Sequence, residues 1–277
     1  VAGGVGYHRG EMNHSRSITQ SIAFLCPALI VMVGALIRSD ECIAAPATTH
    51  VSQWAEPTDI PTPKVDDDDV TPNADFHRRH EQFLARAKQG NIDLLFLGDS
   101  ITADWTWGNH PRLFDQFFGK YRTANFGVGG DRTEHVLWRI DNGELDGISP
   151  KVVVLLIGTN NIGWPAADIT RGITAIVSTI HQKLPTTKVL LLGIFPRGAD
   201  PNDPKVIAMR QKIHEVNAAL ARLDDSNKTR FLDIGQQFLQ PDGHIDRAVM
   251  PDALHPETRG LEIWANAMMP LLDQMMK

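Results

Sequence analysis

The chain has 277 residues, 42% of them hydrophobic and 22% charged, with a formal net charge of -6. Such a composition is ordinary for a soluble globular protein, and the length suits one large domain or two small ones. The mild negative charge gives no electrostatic basis for nucleic acid or an anionic membrane as partner.

The first element in chain order is a targeting pattern. Arg16 precedes residues 22–37, a stretch without a polar side chain, and Ala44-Ala45-Pro46-Ala47 follows. This order of basic, apolar and small-residue regions predicts a signal segment over residues 1–47 and export to the periplasm or beyond. The run is shorter than the roughly 20 residues of a spanning helix, and Pro27 and Gly34 weaken it further. Arg38 keeps a retained anchor open as the alternative, and a membrane partner only in that case. Met12 is a candidate start, which would make residues 1–11 spurious. Cys26 and Cys42, the two cysteines, both lie in this segment. A cleaved chain would contain no disulfide and no cysteine metal site.

Residues 48–75 are proline-rich, include the acidic run Asp66 to Asp69 and lack apolar periodicity. They read as a disordered, solvated linker, because the ligand spacing of a calcium loop is absent. One catalytic domain is expected over residues 76–277. It opens with His77 and His80, expected on an exposed helix without a metal role. Five apolar runs follow at residues 93–98, 123–126, 152–158, 188–195 and 229–234. Their hydrophobicity is continuous rather than alternating, which predicts strands buried on both faces of a parallel sheet. Helical patterns at 166–184, 204–223 and 257–275 separate or follow them; in the first, Ile169, Ile173, Ile176 and Ile180 recur at helical spacing. Alternating strand and helix predicts a three-layer α/β/α sandwich with right-handed crossovers. In such sheets, sites gather at the carboxyl ends of strands. Ser100, Gly127–Gly130 and Asn160 fall just past three such ends.

Those residue types carry chemistry. Gly98-Asp99-Ser100 supplies a hydroxyl that is a weak nucleophile until a base takes its proton. Without a role, Ser100 would serve as a helix N-cap. No Gly-x-Ser-x-Gly elbow is present, which disfavours an ordinary α/β-hydrolase. Asp252 and His255, three apart and expected on a helical turn, supply a carboxylate–imidazole pair as the base. Asn160, or equally its neighbour Asn161, offers a side-chain amide to a developing oxyanion. The glycine loop from Gly127 to Gly130 is either a phosphate cradle, with poor spacing for one, or a backbone donor completing the oxyanion hole. No cluster of histidines and carboxylates shows metal-ligand spacing, so catalysis without a metal is expected.

Residues 98–102, 125–141, 158–161 and 252–255 resemble, in order and spacing, the motif blocks of the SGNH (GDSL-type) hydrolases. Asn125-Phe126-Gly127-Val128-Gly129-Gly130-Asp131, His135-Val136-Leu137-Trp138-Arg139 and Asn142-Gly143-Glu144-Leu145 resemble the platelet-activating factor acetylhydrolase branch most closely. The resemblance implies a flavodoxin-like fold with a five-stranded parallel sheet and cofactor-free hydrolysis of short-chain, often acetyl, esters. It implies Ser100 as nucleophile, His255 as general base and acid, and Asp252 as its orienter. The Ser100 N–H, the Gly130 N–H and the Asn160 side chain would form the oxyanion hole. Ile101, Thr159 and Leu254 match acyl-pocket positions.

The expected partner is a small-molecule, carbohydrate or lipid ester. Carbohydrate acetylesterase and lysophospholipase-like activities stay open within that class. Oligomeric state also stays open, with a homodimer among the alternatives. Trp105 and Trp107 are either core or a platform for a sugar ring. Outside the class, the competing readings are a non-catalytic carbohydrate- or lipid-binding module and a nucleotide-binding regulator.

Overall fold

A computed structural model describes residues 57–277. The expected signal segment, both cysteines and the first part of the expected linker lie outside the described residues. The rest of that linker is ordered and packed. Thr58 is buried: its hydroxyl donates to Asp168 O at 2.5 Å, and its carbonyl accepts from Thr133 Oγ1 at 2.7 Å. Thr62 N–H donates to Glu134 O at 3.1 Å, and Val65 bridges Pro72. The acidic run folds as a turn, in which Asp68 accepts from the Val70 and Thr71 N–H groups. Short side chains with local hydrogen bonds let this segment lie on the domain without an apolar pattern of its own.

The elements in order are α1 (Ala74–Lys88), β1 (Leu94–Gly98), α2 (Ser100–Ala103), α3 (His110–Phe118), β2 (Thr123–Gly127), α4 (Thr133–Arg139), β3 (Val152–Leu156), α5 (Ala166–Lys183), β4 (Lys188–Leu192), α6 (Pro204–Leu220), β5 (Thr229–Leu232) and α7 (Thr258–Met275). The five strands form one parallel sheet in the order β2-β1-β3-β4-β5. Each predicted strand is found: four are trimmed by one to three residues, and β2 runs one residue further, to Gly127. Ile157 and Ile194 lie beyond the ladders yet stay buried, which is why the apolar runs overstate strand length.

Helices cover both faces, as expected of strands that are apolar throughout. Leu95, Leu97, Val153, Leu155, Val189 and Leu191 face α1, α4, α5 and α6. Leu94, Phe96, Val152, Val154, Leu190 and Leu192 face α2, α3 and α7. Ile169, Ile173, Ile176 and Ile180 are all buried along α5. In α1, Asn73 caps the Phe76 N–H, with Asp75 in the first turn and Arg86 and Lys88 in the last, so cap and charges agree with the helix dipole. His80 is not on an exposed face: it is buried and its Nδ1 meets Glu144 at 2.9 Å.

A buried ion cluster closes the carboxyl end of the sheet. Arg139, 0% exposed, donates to Asp131 (2.9 Å), Glu144 (2.6 Å), Phe126 O (3.1 Å) and Gly98 O (3.4 Å). Removing the cation strands two carboxyls in the interior. Arg139→Met should lower stability by about 3–5 kcal/mol in chemical denaturation, whereas a change under about 1 kcal/mol would show that the cluster is dispensable.

Candidate active site

β1 ends at Gly98, and the chain turns at once into α2. Asp99 caps that helix, its Oδ1 accepting from the Ile101 N–H at 3.0 Å. Ser100 is therefore the first helical residue, and its N–H has no intrahelical partner. α2 lies tight on the end of β2: a Cβ on Gly127 would stand 2.4 Å from the Ala103 nitrogen. That glycine is required for the approach.

The imidazole comes from the loop before α7. Asp252 and His255 sit in a turn, not on a helix as expected. Asp252 Oδ1 accepts from the Leu254 N–H (3.0 Å) and the His255 N–H (2.8 Å), while Ala253 takes φ +56°. An aspartate side chain that satisfies its own turn makes this shape, with no helical repeat needed. Gly198 N–H to Ala253 O (2.9 Å) ties the turn to the rest of the domain. His255 Nδ1 donates to Asp252 Oδ2 at 2.6 Å, which leaves Nε2 to accept from Ser100 Oγ at 2.9 Å. Burial raises the Asp252 carboxyl, but the bonds from the His255 backbone and ring and from Leu254 outweigh it and hold the group below its ordinary value.

A cavity of about 690 Å³ opens over this pair, lined by Ser100, Asp104, Trp107, His110, Gly130, Asn160, Leu254, His255 and Glu257 among others. Three of the expected oxyanion groups thus border one space. Gly130 takes φ +70°, as only a glycine does without strain. Asn160 spends one amide hydrogen on Asp131 O at 2.8 Å, leaving its second for the cavity. Asn161 is ruled out as the alternative: it is buried, accepting from the Thr133 N–H (3.0 Å) and donating to Glu134 (3.0 Å).

Of the acyl-pocket candidates, only Leu254 lines the cavity. Ile101 (1% exposed) packs into the core with Leu94 and Phe96, and Thr159 (2% exposed) is buried, accepting from Arg197 at 3.1 and 3.2 Å through its carbonyl and hydroxyl. Their neighbours Ser100 and Asn160 point the other way, which sequence adjacency could not show. The two tryptophans separate: Trp105 is core, and Trp107, 54% exposed, lines the cavity.

Sequence reasoning missed Asp104 and His110. Asp104 stands four residues after Ser100, one turn on, and that spacing was the available signal. Burial pushes its carboxyl up to about 6, opposed by His255 and His110. His110 donates from Nδ1 to Asp104 O (2.8 Å), with Nε2 3.3 Å from Glu257. Among the described residues no group of histidines, cysteines and carboxylates could hold a metal ion.

A five-stranded parallel sheet with a serine just past its first strand and a histidine brought back from the C-terminal loop defines a class of hydrolase. The sequence pattern of the GDSL-like lipase/acylhydrolase family matches residues 96–263, and the chain belongs to this family of carboxylic ester hydrolases. The human platelet-activating factor acetylhydrolase IB subunit alpha1 is 36% identical over 217 residues, 78% of this chain and 89% of that protein. Subunit alpha2 from Gallus gallus is 38% identical over 189 residues, 68% of this chain and 79% of that protein. A GDSL-like lipase from Bacteroides thetaiotaomicron shares the fold with a TM-score of 0.58 at 20% identity, covering 73% of this chain and 98% of that one.

Asp99, beside the nucleophile candidate, is 1% exposed, and its Oδ2 has no hydrogen-bond partner. Burial pushes its carboxyl up to about 8 against the opposing bond from Ile101. The folded protein then holds this proton between the unfolded value, about 4, and 8, so the group's stability contribution is full below that window and lost as pH rises through it. Asp99→Asn, which keeps the cap acceptor, should gain on the wild type steadily from pH 5 to pH 8 in urea unfolding. Parallel pH curves would contradict the neutral carboxyl.

Proposed function

We propose that the protein is a serine hydrolase of short-chain, acetyl-type carboxylic esters that works through a covalent acyl-enzyme. The observation that carries this reading is the unbroken relay Ser100 Oγ–His255 Nε2 and His255 Nδ1–Asp252, at 2.9 and 2.6 Å, on the wall of the cavity.

In the first half-reaction, His255 Nε2 takes the Ser100 proton as Oγ attacks the ester carbonyl carbon. Asp252 keeps the ring in the right tautomer and stabilises the imidazolium. Negative charge moves to the carbonyl oxygen, where the Ser100 N–H, the Gly130 N–H and the free Asn160 amide hydrogen receive it. Fixed donors of this kind require no reorganisation as charge develops. Collapse breaks the ester bond, and His255 returns its proton to the leaving alcohol. Water then repeats the sequence on the acyl-serine and releases the acid. Leu254 beside His255 offers an apolar wall for a small acyl group. The curated relatives, named as acetylhydrolase subunits, support acetyl as that group. The order of basic, apolar and small-residue regions over residues 1–47 supports export as the setting.

A screen of p-nitrophenyl esters from acetate upward tests the reading. Turnover should fall as the acyl chain lengthens, and Ser100→Ala should lose on the order of 10⁴-fold or more. Equal activity in both proteins would reject Ser100 as nucleophile; a rise with chain length would reject the short-chain assignment.

Trp107 favours a second reading of the alcohol side, a carbohydrate acetyl ester, because an exposed indole on the wall of the cavity can stack on a sugar ring. On acetylated xylo-oligosaccharide, Trp107→Ala should raise KM about tenfold, the value of roughly 1.4 kcal/mol of lost contact. An unchanged KM there, with good turnover of an acetyl glyceryl ether, would assign the alcohol side to lipid.

A further inference from the structure

The oxyanion donor assigned to Gly130 belongs to the peptide group between Gly129 and Gly130. Its N–H and the Gly129 carbonyl point in opposite directions, because the peptide is planar and trans. Whatever holds the carbonyl therefore aims the N–H. Lys64 holds it: Nζ donates to Gly129 O at 2.6 Å. The same Nζ lies 2.8 Å from the point a Cβ on Gly130 would occupy.

This peptide needs an external hold. It is flanked by two glycines, which leave its plane freer to rotate than any other pair of residues would. Among the described residues the Gly130 N–H makes no backbone hydrogen bond, unlike the Asp131 N–H, which donates to Val128 O at 3.2 Å. A rotated plane would turn a carbonyl oxygen toward the developing anion and convert stabilisation into repulsion.

Lys64 is itself pinned. Its carbonyl accepts from the Asn73 N–H at 3.0 Å, and the adjoining Val65 bridges Pro72. Two residues earlier, Thr62 N–H is bonded to Glu134 O. Among the described residues, no carboxylate stands within ion-pair distance of Nζ; the other lysine ion pairs are Lys120–Asp273 and Lys183–Asp146. Beyond ion-pair distance its charge still acts on the buried Asp131 carboxyl, opposing the rise that burial imposes there; its direct contact is with the peptide, and a bond from an ionised donor is about twice as strong as a neutral one. The family match begins at residue 96, so it does not reach Lys64.

We propose that Lys64 is a positioning residue for the oxyanion hole: its ammonium fixes the Gly129–Gly130 peptide so that the Gly130 N–H faces the reacting carbonyl. The ammonium also adds positive potential behind that N–H as negative charge develops. The inference rests on the serine-hydrolase reading above.

The test uses the full chain with Lys64→Met, Lys64→Arg and Ser100→Ala, assayed on p-nitrophenyl acetate. Phenylboronic acid, which adds to the serine as a tetrahedral anion, serves as transition-state probe. Lys64→Met should lose on the order of ten- to a hundredfold in kcat, less than deleting a donor outright. KM should stay within about twofold, since the lost interaction exists only in the transition state. The boronate inhibition constant should rise by the same factor as kcat falls, and Lys64→Arg should recover most of both. An unchanged kcat and boronate constant in Lys64→Met, beside an inactive Ser100→Ala, would overturn the role of Lys64 alone. So would a kcat loss that the boronate constant does not follow, or one that arginine does not restore, including through general loosening of the fold. Activity in Ser100→Ala would remove the serine reading and this inference together.

Discussion

The guanidinium of Arg139 is the interaction on which the working end of the molecule depends. It reaches the carbonyl of Gly98 at the end of β1, the carbonyl of Phe126 near the end of β2, the Asp131 carboxyl in the glycine loop and Glu144 beyond α4. Two adjacent strand ends and two loops thus share one buried cation. The Gly98 carbonyl also accepts from the Val128 N–H at 3.1 Å, and a planar fork with five donors is the side chain best matched to reaching several such acceptors at once. Glu144 in turn meets His80, which draws α1 into the same cluster. Ser100 and Gly130 stand on either side of this knot, so their separation is set by groups that cannot move independently.

Around it, the site holds backbone and side chains in unfavourable states that the fold must support. Ala253 adopts a left-handed conformation between Asp252 and Leu254. Asp99 is buried with one oxygen unpartnered, and Asp104 is half-withdrawn from solvent. Strain of this sort clusters where geometry is held for chemistry. Here it is offset by the buried apolar layers on both faces of the sheet. The second consequence is electrostatic. Two carboxyls near the nucleophile are raised by burial, while the one bonded to His255 is lowered by its own turn. Groups of one chemical type are therefore shifted in opposite directions around one site, and the carboxyl bonded to the imidazole is the lowered one.

The segment from residue 57 to 73 changes how the domain is bounded. It lacks the apolar periodicity by which a sequence announces a packed element. Its attachments include hydrogen bonds from Thr58, Thr62 and Lys64 to carbonyls on α5, α4 and the glycine loop, and an Asp59–Arg171 ion pair at 3.0 Å. Such contacts leave no trace in local pattern, because any short polar residue could belong equally to a solvated linker. The same limit explains Ile101 and Thr159, which flank cavity-lining Ser100 and Asn160 yet face the interior.

The sequence by itself determined the parallel sheet, since runs such as Val152 to Leu156 can be satisfied only with apolar cover on both faces. It also supplied the candidates Ser100, Asp252 and His255, because their short strings recur together in the order and spacing of the family's motif blocks. Tertiary structure alone decided which neighbour serves: Asn160 on the cavity and Asn161 in the core, Trp107 exposed and Trp105 enclosed, Leu254 lining and Ile101 packed. It alone brought Lys64 to a peptide 65 residues away. Periodicity is a local consequence of burial, whereas the direction of a side chain in a loop is fixed by whatever distant segment packs against it.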